Sequence, residues 1–320
     1  MTDQRSEKYA VLFPPQVYVR PGEYRDLHDH YDAVRTRFAD AAEAVGFDLA
    51  AAFFSDDPDE VNRGTVARPA IVALSTALHE IVRDGDAPPA FTMGLSLGQI
   101  TAAHVGGCLS FHDAARMAHE MAAIEEEAFG SGEYGVHFFY NVVHSELLRS
   151  MEALKAQGHR LWPCAFTGDN QMIVTGARAS LEQLSREALI LGGMGVVIPY
   201  GPPAHCPLMR EVELRFRERW RYAEEPRQPD TPLVCNLTSE VLATAEEIHW
   251  ALVRQYTSAV RWSRSVRRLA ELGVNRLVVM GPGHFVRKSL PFVSVSFETE
   301  CVEGTQDLTA MSNTGRGGAT

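Results

Sequence analysis

The chain has 320 residues, 45% of them hydrophobic and 22% charged, with a formal net charge of −11. Such a composition buries a substantial core, which excludes disorder as the main state, and the negative charge argues against non-specific binding to nucleic acid or anionic lipid. No apolar run reaches the length of a membrane helix, and the opening MTDQRSEKY lacks the apolar stretch of a signal peptide. The five cysteines are scattered without a C-x-x-C, so neither a disulfide framework nor a metal site is expected, and a cytoplasmic setting fits best.

Residues 1–8 read as a loose leader. AVLF at 10–13 is a short buried strand, and TVARPAIVALSTALHEIVRDG has apolar residues at helical spacing up to a stop signal at Gly85. PAFTMGLSLG then reads as a strand, a tight turn and a helix start. Strands alternating with helices predict an α/β fold with a parallel sheet covered by helices. Residues 137–203 follow another rhythm. HFFYNVV is a strand, SELLRSMEALKAQG a helix, RLWPCAFT and QMIVTGA two strands joined by the turn sequence GDN, SLEQLSREALILGG a second helix, and MGVVIPY a closing strand. The order β-α-β-β-α-β predicts a ferredoxin-like subdomain inserted in the larger unit. PLVCNLTSE, a pair of helices and NRLVVMGPG return to the α/β pattern. The expected domains are therefore 9–136 with 204–302 as a large α/β-hydrolase-like domain, 137–203 as the insert, and 303–320 as a disordered tail.

The sharpest motif is Gly94-Leu95-Ser96-Leu97-Gly98. G-x-S-x-G between a strand and a helix is a nucleophile elbow: the sharp turn presents the serine hydroxyl at the edge of the sheet, and the helix N-terminus offers free N–H groups to a developing oxyanion. A serine nucleophile needs a base. His205, in GPPAHCPLM directly after the insert, suits a fixed catalytic position. His284, in GPGHF, is a rival that would make the chain a true α/β-hydrolase. His28, Asp29, His30 and Asp32 read as a solvated helix face rather than a metal site, Glu125 to Glu127 as a solvent-facing charge run, and Cys206 as an inert small residue.

At this point the residues resemble a family. GLSLGQITAAHVGGCLSFHDAAR looks like the nucleophile segment of malonyl-CoA:acyl carrier protein transacylases and polyketide-synthase acyltransferase domains. The likeness extends through LFPPQ, GPPAHCPLM, PLVCNLTSE, QYTSAVRWSRSVRRLAELGV and VVMGPG, from about residue 10 to 290. The resemblance implies Ser96 as nucleophile, His205 as general base and then acid, and the backbone N–H groups of Gln16 and Leu97 as oxyanion hole. It also implies that the main-chain carbonyl of Gln255 orients the imidazole, in place of the aspartate of a full triad. No cofactor is implied, since the acyl group arrives on the phosphopantetheine of a carrier protein or CoA. The implied partners are an acyl carrier protein and an acyl thioester, with no nucleic acid or membrane, and the family leans towards monomers.

Departures from the family pattern bear on the substrate. Malonyl-using members carry an arginine on the helix after the serine, which forks onto the malonate carboxylate. Here that position is Met121, and Arg116 and His119 are the cations expected nearby. A buried carboxylate without its partner is costly, so a non-malonyl acyl or aminoacyl group is expected. Leu95 replaces the usual histidine before the serine, Pro15 replaces a glycine before Gln16, and Ala204 opens the pocket beside the base, so Leu95, Met121 and Ala204 are expected to line it. Between Arg254 and Lys288 there are eight basic residues and one acid. Arg261, Arg264, Arg268 and Arg287 are the candidate contacts for an acidic carrier protein. The expected function is an acyltransferase of polyketide or other specialised biosynthesis. The alternatives are a hydrolase of the same fold, editing stalled acyl groups from carrier proteins, and a carrier-binding scaffold with an inert site.

Overall fold

The computed structural model describes residues 8–83, 88–130, 132–199 and 201–315. Residues 1–7 of the expected leader, Gly85, Tyr200 and residues 316–320 of the tail lie outside them. Among the described residues, ten strands form two sheets. They are β1 Tyr9–Phe13, β2 Phe91–Gly94, β3 Tyr134–Tyr140, β4 Leu161–Gly168, β5 Gln171–Ala177, β6 Met194–Ile198, β7 Leu233–Val234, β8 Val241–Leu242, β9 Arg276–Met280 and β10 Glu298–Val302.

The larger sheet has the order β10-β9-β1-β2-β7-β8, parallel except for β8, which runs antiparallel to β7. Its central strands are short unbroken apolar runs, as a sheet covered on both faces requires. The helix Gly64–Val82 packs in the middle of this domain. From Val66 to His79 every residue is buried except Arg68, which is partly buried. A helix apolar on all sides belongs in an interior, and a lone arginine within it has to answer to something specific.

The smaller sheet has the order β4-β5-β3-β6 and is antiparallel throughout. The helices His144–Ala156 and Arg178–Ile190 close a separate core with it around Phe139, Leu147, Met151, Leu161 and Leu184. The chain order and strand order are those of the ferredoxin-like motif. Its first strand begins at Tyr134, ahead of the boundary expected at 137, because Tyr134, Gly135 and Val136 already pair with Ala177, Gly176 and Thr175. The unit is joined to the large domain through β4: the Phe166 N–H donates to the Val260 carbonyl at 2.8 Å, and the Val260 N–H to the Cys164 carbonyl at 2.9 Å.

The expected disordered tail is corrected over 305–315, where the helix Thr305–Gly315 forms. The Asp307 carboxylate accepts from the N–H groups of Glu303 at 2.8 Å and Gly304 at 3.1 Å, satisfying backbone donors at the helix start, and Leu308 is buried against the core. Small polar residues hid these two anchors from a compositional reading.

The joint that positions the site lies where β1 and β2 end side by side. Phe13 is in register with Gly94, and the Leu95 N–H donates to the Phe13 carbonyl at 3.1 Å. Ser96 then takes a left-handed φ of 55°, and the helix Gly98–Val105 starts at once. A Cβ on Gly98 would stand 2.3 Å from the Phe13 carbonyl oxygen, and one on Gly94 1.9 Å from the Gly98 carbonyl. Both obstacles are backbone atoms that cannot rotate away. Gly98→Ala is therefore expected to destabilise the fold by about 3 kcal/mol. The measurement is a denaturant titration, and an unchanged midpoint would contradict this account of the elbow.

Candidate active site

Ser96 Oγ lies 2.7 Å from His205 Nε2. On the other side of the ring, His205 Nδ1 lies 2.6 Å from the main-chain oxygen of Gln255. A carbonyl oxygen can only accept, so Nδ1 carries the proton and Nε2 presents its lone pair to the serine hydroxyl. Gln255 caps the helix Ala245–Arg254, whose last carbonyls have no partner within the helix. The imidazole therefore occupies an acceptor that the helix end leaves open. His205 itself has a left-handed φ of 54°. The next residue fixes it there, since the Cys206 N–H donates to the Tyr256 carbonyl at 3.1 Å.

His205 is 8% exposed. Burial drives its pKa down to about 4, against the hydrogen bond to Gln255, which favours the protonated ring, and with a further downward push from the Arg68 charge. At neutral pH the ring is uncharged, the form able to take a proton from a hydroxyl. Burial pushes the neighbouring Cys206 thiol up to about 11, so it stays protonated and inert.

A cavity of about 150 Å³ opens beside this pair, between the two sheets. A void of about that size in a protein interior holds a benzene-sized molecule. Leu95, Leu97, Met121, Ala204 and Gln16 all line it with Ser96 and His205, as do Ile173 and Ile198 from the smaller sheet. Met121 also touches the Gln255 side chain, with Nε2 4.0 Å from its sulfur. Leu97 caps the start of the helix Gly98–Val105, and Gln16 follows two prolines after β1. Leu97 adjoins Ser96 just beyond the end of β2, and Gln16 reaches the same cavity from beyond the end of β1.

Two polar residues of this cavity run against the sequence reading. Arg68, from the buried helix Gly64–Val82, lines the cavity with Glu125. Its guanidinium pairs with the Glu125 carboxylate through Nη2, and its Nε donates to Gln16 Oε1 at 2.9 Å. Glu125 is 5% exposed, so the expected solvent-facing run holds for Glu126 and Glu127 and fails for Glu125. The expected cations lie elsewhere: Arg116 pairs with Asp113 and stacks on Trp220, and His119 Nδ1 meets the Thr65 carbonyl. The available signal for Arg68 was its place as the only charged residue within the apolar run from Val66 to Leu78.

His284 does not meet Ser96. It pairs with Glu303, whose carboxylate Arg287 also reaches at 3.3 Å. The α/β-hydrolase alternative built on it is thereby corrected.

No family model matches the chain. A malonyl CoA-acyl carrier protein transacylase of Salmonella typhimurium is 27% identical over 278 residues, 86% of this chain and 89% of that protein. One from Bacillus subtilis is 26% identical over 302 residues, 94% of this chain and 95% of that protein. Among solved structures, a malonyl-transacylase in complex with a type II polyketide synthase acyl-carrier protein superposes with a TM-score of 0.87 at 25% identity, covering 96% of this chain and all of the other. The chain is a relative of the malonyl-CoA:acyl carrier protein transacylases. It is an enzyme of their acyltransferase class.

On the outside of this transacylase-like fold, Arg261 and Arg264 line a groove with His144, Phe166, Asp169 and Arg267, where the two sheets meet. Arg267 is paired with Asp169 at 2.6 Å, Arg268 with Glu271 at 3.0 Å and Arg287 with Glu303. Arg261 and Arg264 have no ion pair among the described residues. No helix among the described residues is long and apolar enough to cross a membrane.

The depressed titration of His205 is open to direct measurement. Its ring nitrogens, followed by ¹⁵N NMR across a pH series and assigned with a His205→Gln variant, are expected to remain in the neutral Nδ1–H form down to about pH 4. An imidazolium signal already dominant near pH 6 would contradict the burial argument.

Proposed function

We propose that the chain is an acyltransferase that moves a non-malonyl acyl or aminoacyl group, through an ester on Ser96, to or from an acyl carrier protein in polyketide or other specialised biosynthesis. The observation that carries this reading is a neutral serine–histidine pair opening into a mostly apolar cavity, in which Met121 stands at the expected arginine position and Arg68 is already paired with Glu125.

In this reading Ser96 Oγ attacks the thioester carbonyl while His205 Nε2 takes the hydroxyl proton. The negative oxygen is met by the N–H groups of Leu97 and Gln16. Collapse expels the pantetheine thiolate, which takes the proton back from His205 and leaves as a thiol, and the acyl group remains on Ser96. A second pantetheine thiol, activated by His205 in the same way, then attacks the ester and carries the acyl group off. Because the ring is oriented by a main-chain carbonyl, no carboxylate is required to hold the tautomer. A malonyl carboxylate would find no free cation among the described residues of the cavity, and burying it unpaired costs several kcal/mol. The malonyl substrate of the relatives is therefore read as lost here, while their carrier-protein partner is retained. The groove with Arg261 and Arg264, basic on an acidic enzyme, is the face offered to an acidic carrier protein, with steering as its main effect.

Intact-mass spectrometry tests the reading. After incubation with a panel of malonyl, simple acyl and aminoacyl thioesters, an adduct is expected from a non-malonyl donor and is expected to vanish in Ser96→Ala. The adduct should pass to a second carrier protein. A malonyl adduct formed as readily as any other would overturn the substrate assignment, and loss of the acyl group to water with carrier present would make the enzyme a hydrolase.

A further inference from the structure

Among the described residues, the Arg68–Glu125 pair is the one charged feature of the acyl cavity that the proposed chemistry does not use. Both side chains line the cavity together with Ser96, Met121 and His205. The Arg68 side chain is 13% exposed and that of Glu125 is 6% exposed. They come from different helices, Gly64–Val82 and Phe111–Phe129, and Glu125 stands one turn beyond Met121 on the same face. The guanidinium is tied at two points, to Glu125 through Nη2 and to Gln16 through Nε. Its charge is close enough to the reaction centre to be felt at His205.

We infer that this pair is the charge-selecting element of the acyl pocket: Arg68 is a carboxylate receptor kept occupied by Glu125, so that acyl chains without a carboxylate enter and chains that end in one are refused. The inference rests on the non-malonyl reading above and gives it a mechanism. A guanidinium with a planar fork of donors would bind a substrate carboxylate well. To do so here, the substrate would have to displace Glu125, which is fixed on its helix and buried at a cavity that Met121 and Ile100 also line. Two carboxylates would then share one cation in a poorly solvated space, and one of them would be left buried and unpaired. A neutral acyl chain leaves the pair intact. The absence of an arginine at 121 is thus only half of the selectivity. The other half is a carboxylate of the enzyme standing where the substrate's would go.

The test compares acylation rates of the full chain by malonyl-CoA and by butyryl-CoA, read by intact mass. Glu125→Gln keeps the shape and removes the negative charge. It is expected to raise the malonyl-to-butyryl ratio by about 100-fold, and the double variant Arg68→Gln/Glu125→Gln is expected to bring the ratio back to the wild-type range. An unchanged ratio in Glu125→Gln would overturn the inference, as would an equal rise in the double variant, which would trace the gain to space rather than charge. Glu125→Ala, read by the same ratio, serves if the Gln variant does not fold. The two levels fail separately. Wild-type enzyme that takes malonyl as fast as butyryl sinks the non-malonyl reading, whereas wild type that prefers butyryl with an unresponsive Glu125→Gln sinks only the role of the pair.

Discussion

The hydrogen bond from Ser96 Oγ to His205 Nε2 joins the carboxyl edge of the parallel sheet to the chain as it returns from the smaller sheet. Two unusual backbone conformations meet across it, since both residues have φ near 55°. A side chain held in that region costs on the order of 1–3 kcal/mol and persists only where its surroundings over-determine it. Those surroundings are visible. Leu95 is bonded to Phe13 on one side, and Cys206 to Tyr256 on the other. Gly94 and Gly98 supply the close backbone approach that any other residue would block. The smaller sheet contributes by fixing where residue 205 re-enters, and it does so through the Cys164–Phe166 contact with Val260.

The electrostatics of the site follow from burial. A histidine withdrawn from water loses its charged form, so the enzyme obtains a base that is ready at neutral pH without a carboxylate behind it. A carboxylate partner would stabilise the imidazolium and work against that withdrawal. The carbonyl at the end of the helix Ala245–Arg254 holds the tautomer with only a partial charge. The same logic governs the acyl cavity: Arg68 is tolerated in a buried helix because Glu125 neutralises it, and the cost of separating the two is what a charged substrate would meet.

Much of this was legible in the sequence because local rules agreed there. The hairpin of β4 and β5 could be read from two apolar runs around GDN, and the elbow from two glycines flanking a serine between a strand and a helix. The α/β class and the inserted ferredoxin-like unit followed from the order of such segments. The Arg68–Glu125 pair escaped because its members lie on separate helices and no local period connects them. Glu125 was hidden by Glu126 and Glu127, which are exposed, although it sits on the buried face that Met121 also occupies. The helix Thr305–Gly315 escaped because its anchors are one capping aspartate and one buried leucine within a small polar stretch. In each case a tertiary contact decided what composition could not.

The central claim is that a neutral imidazole, held by a main-chain carbonyl, activates Ser96. Single-turnover acylation measured against pH tests it most directly. The account predicts a rate independent of pH from about 8 down to about 5, falling as the His205 ring protonates near 4, because protonation removes the acceptor for the serine proton. A rate already halved near pH 6.5, the ordinary histidine value, or one that survives unchanged in His205→Ala, would contradict it.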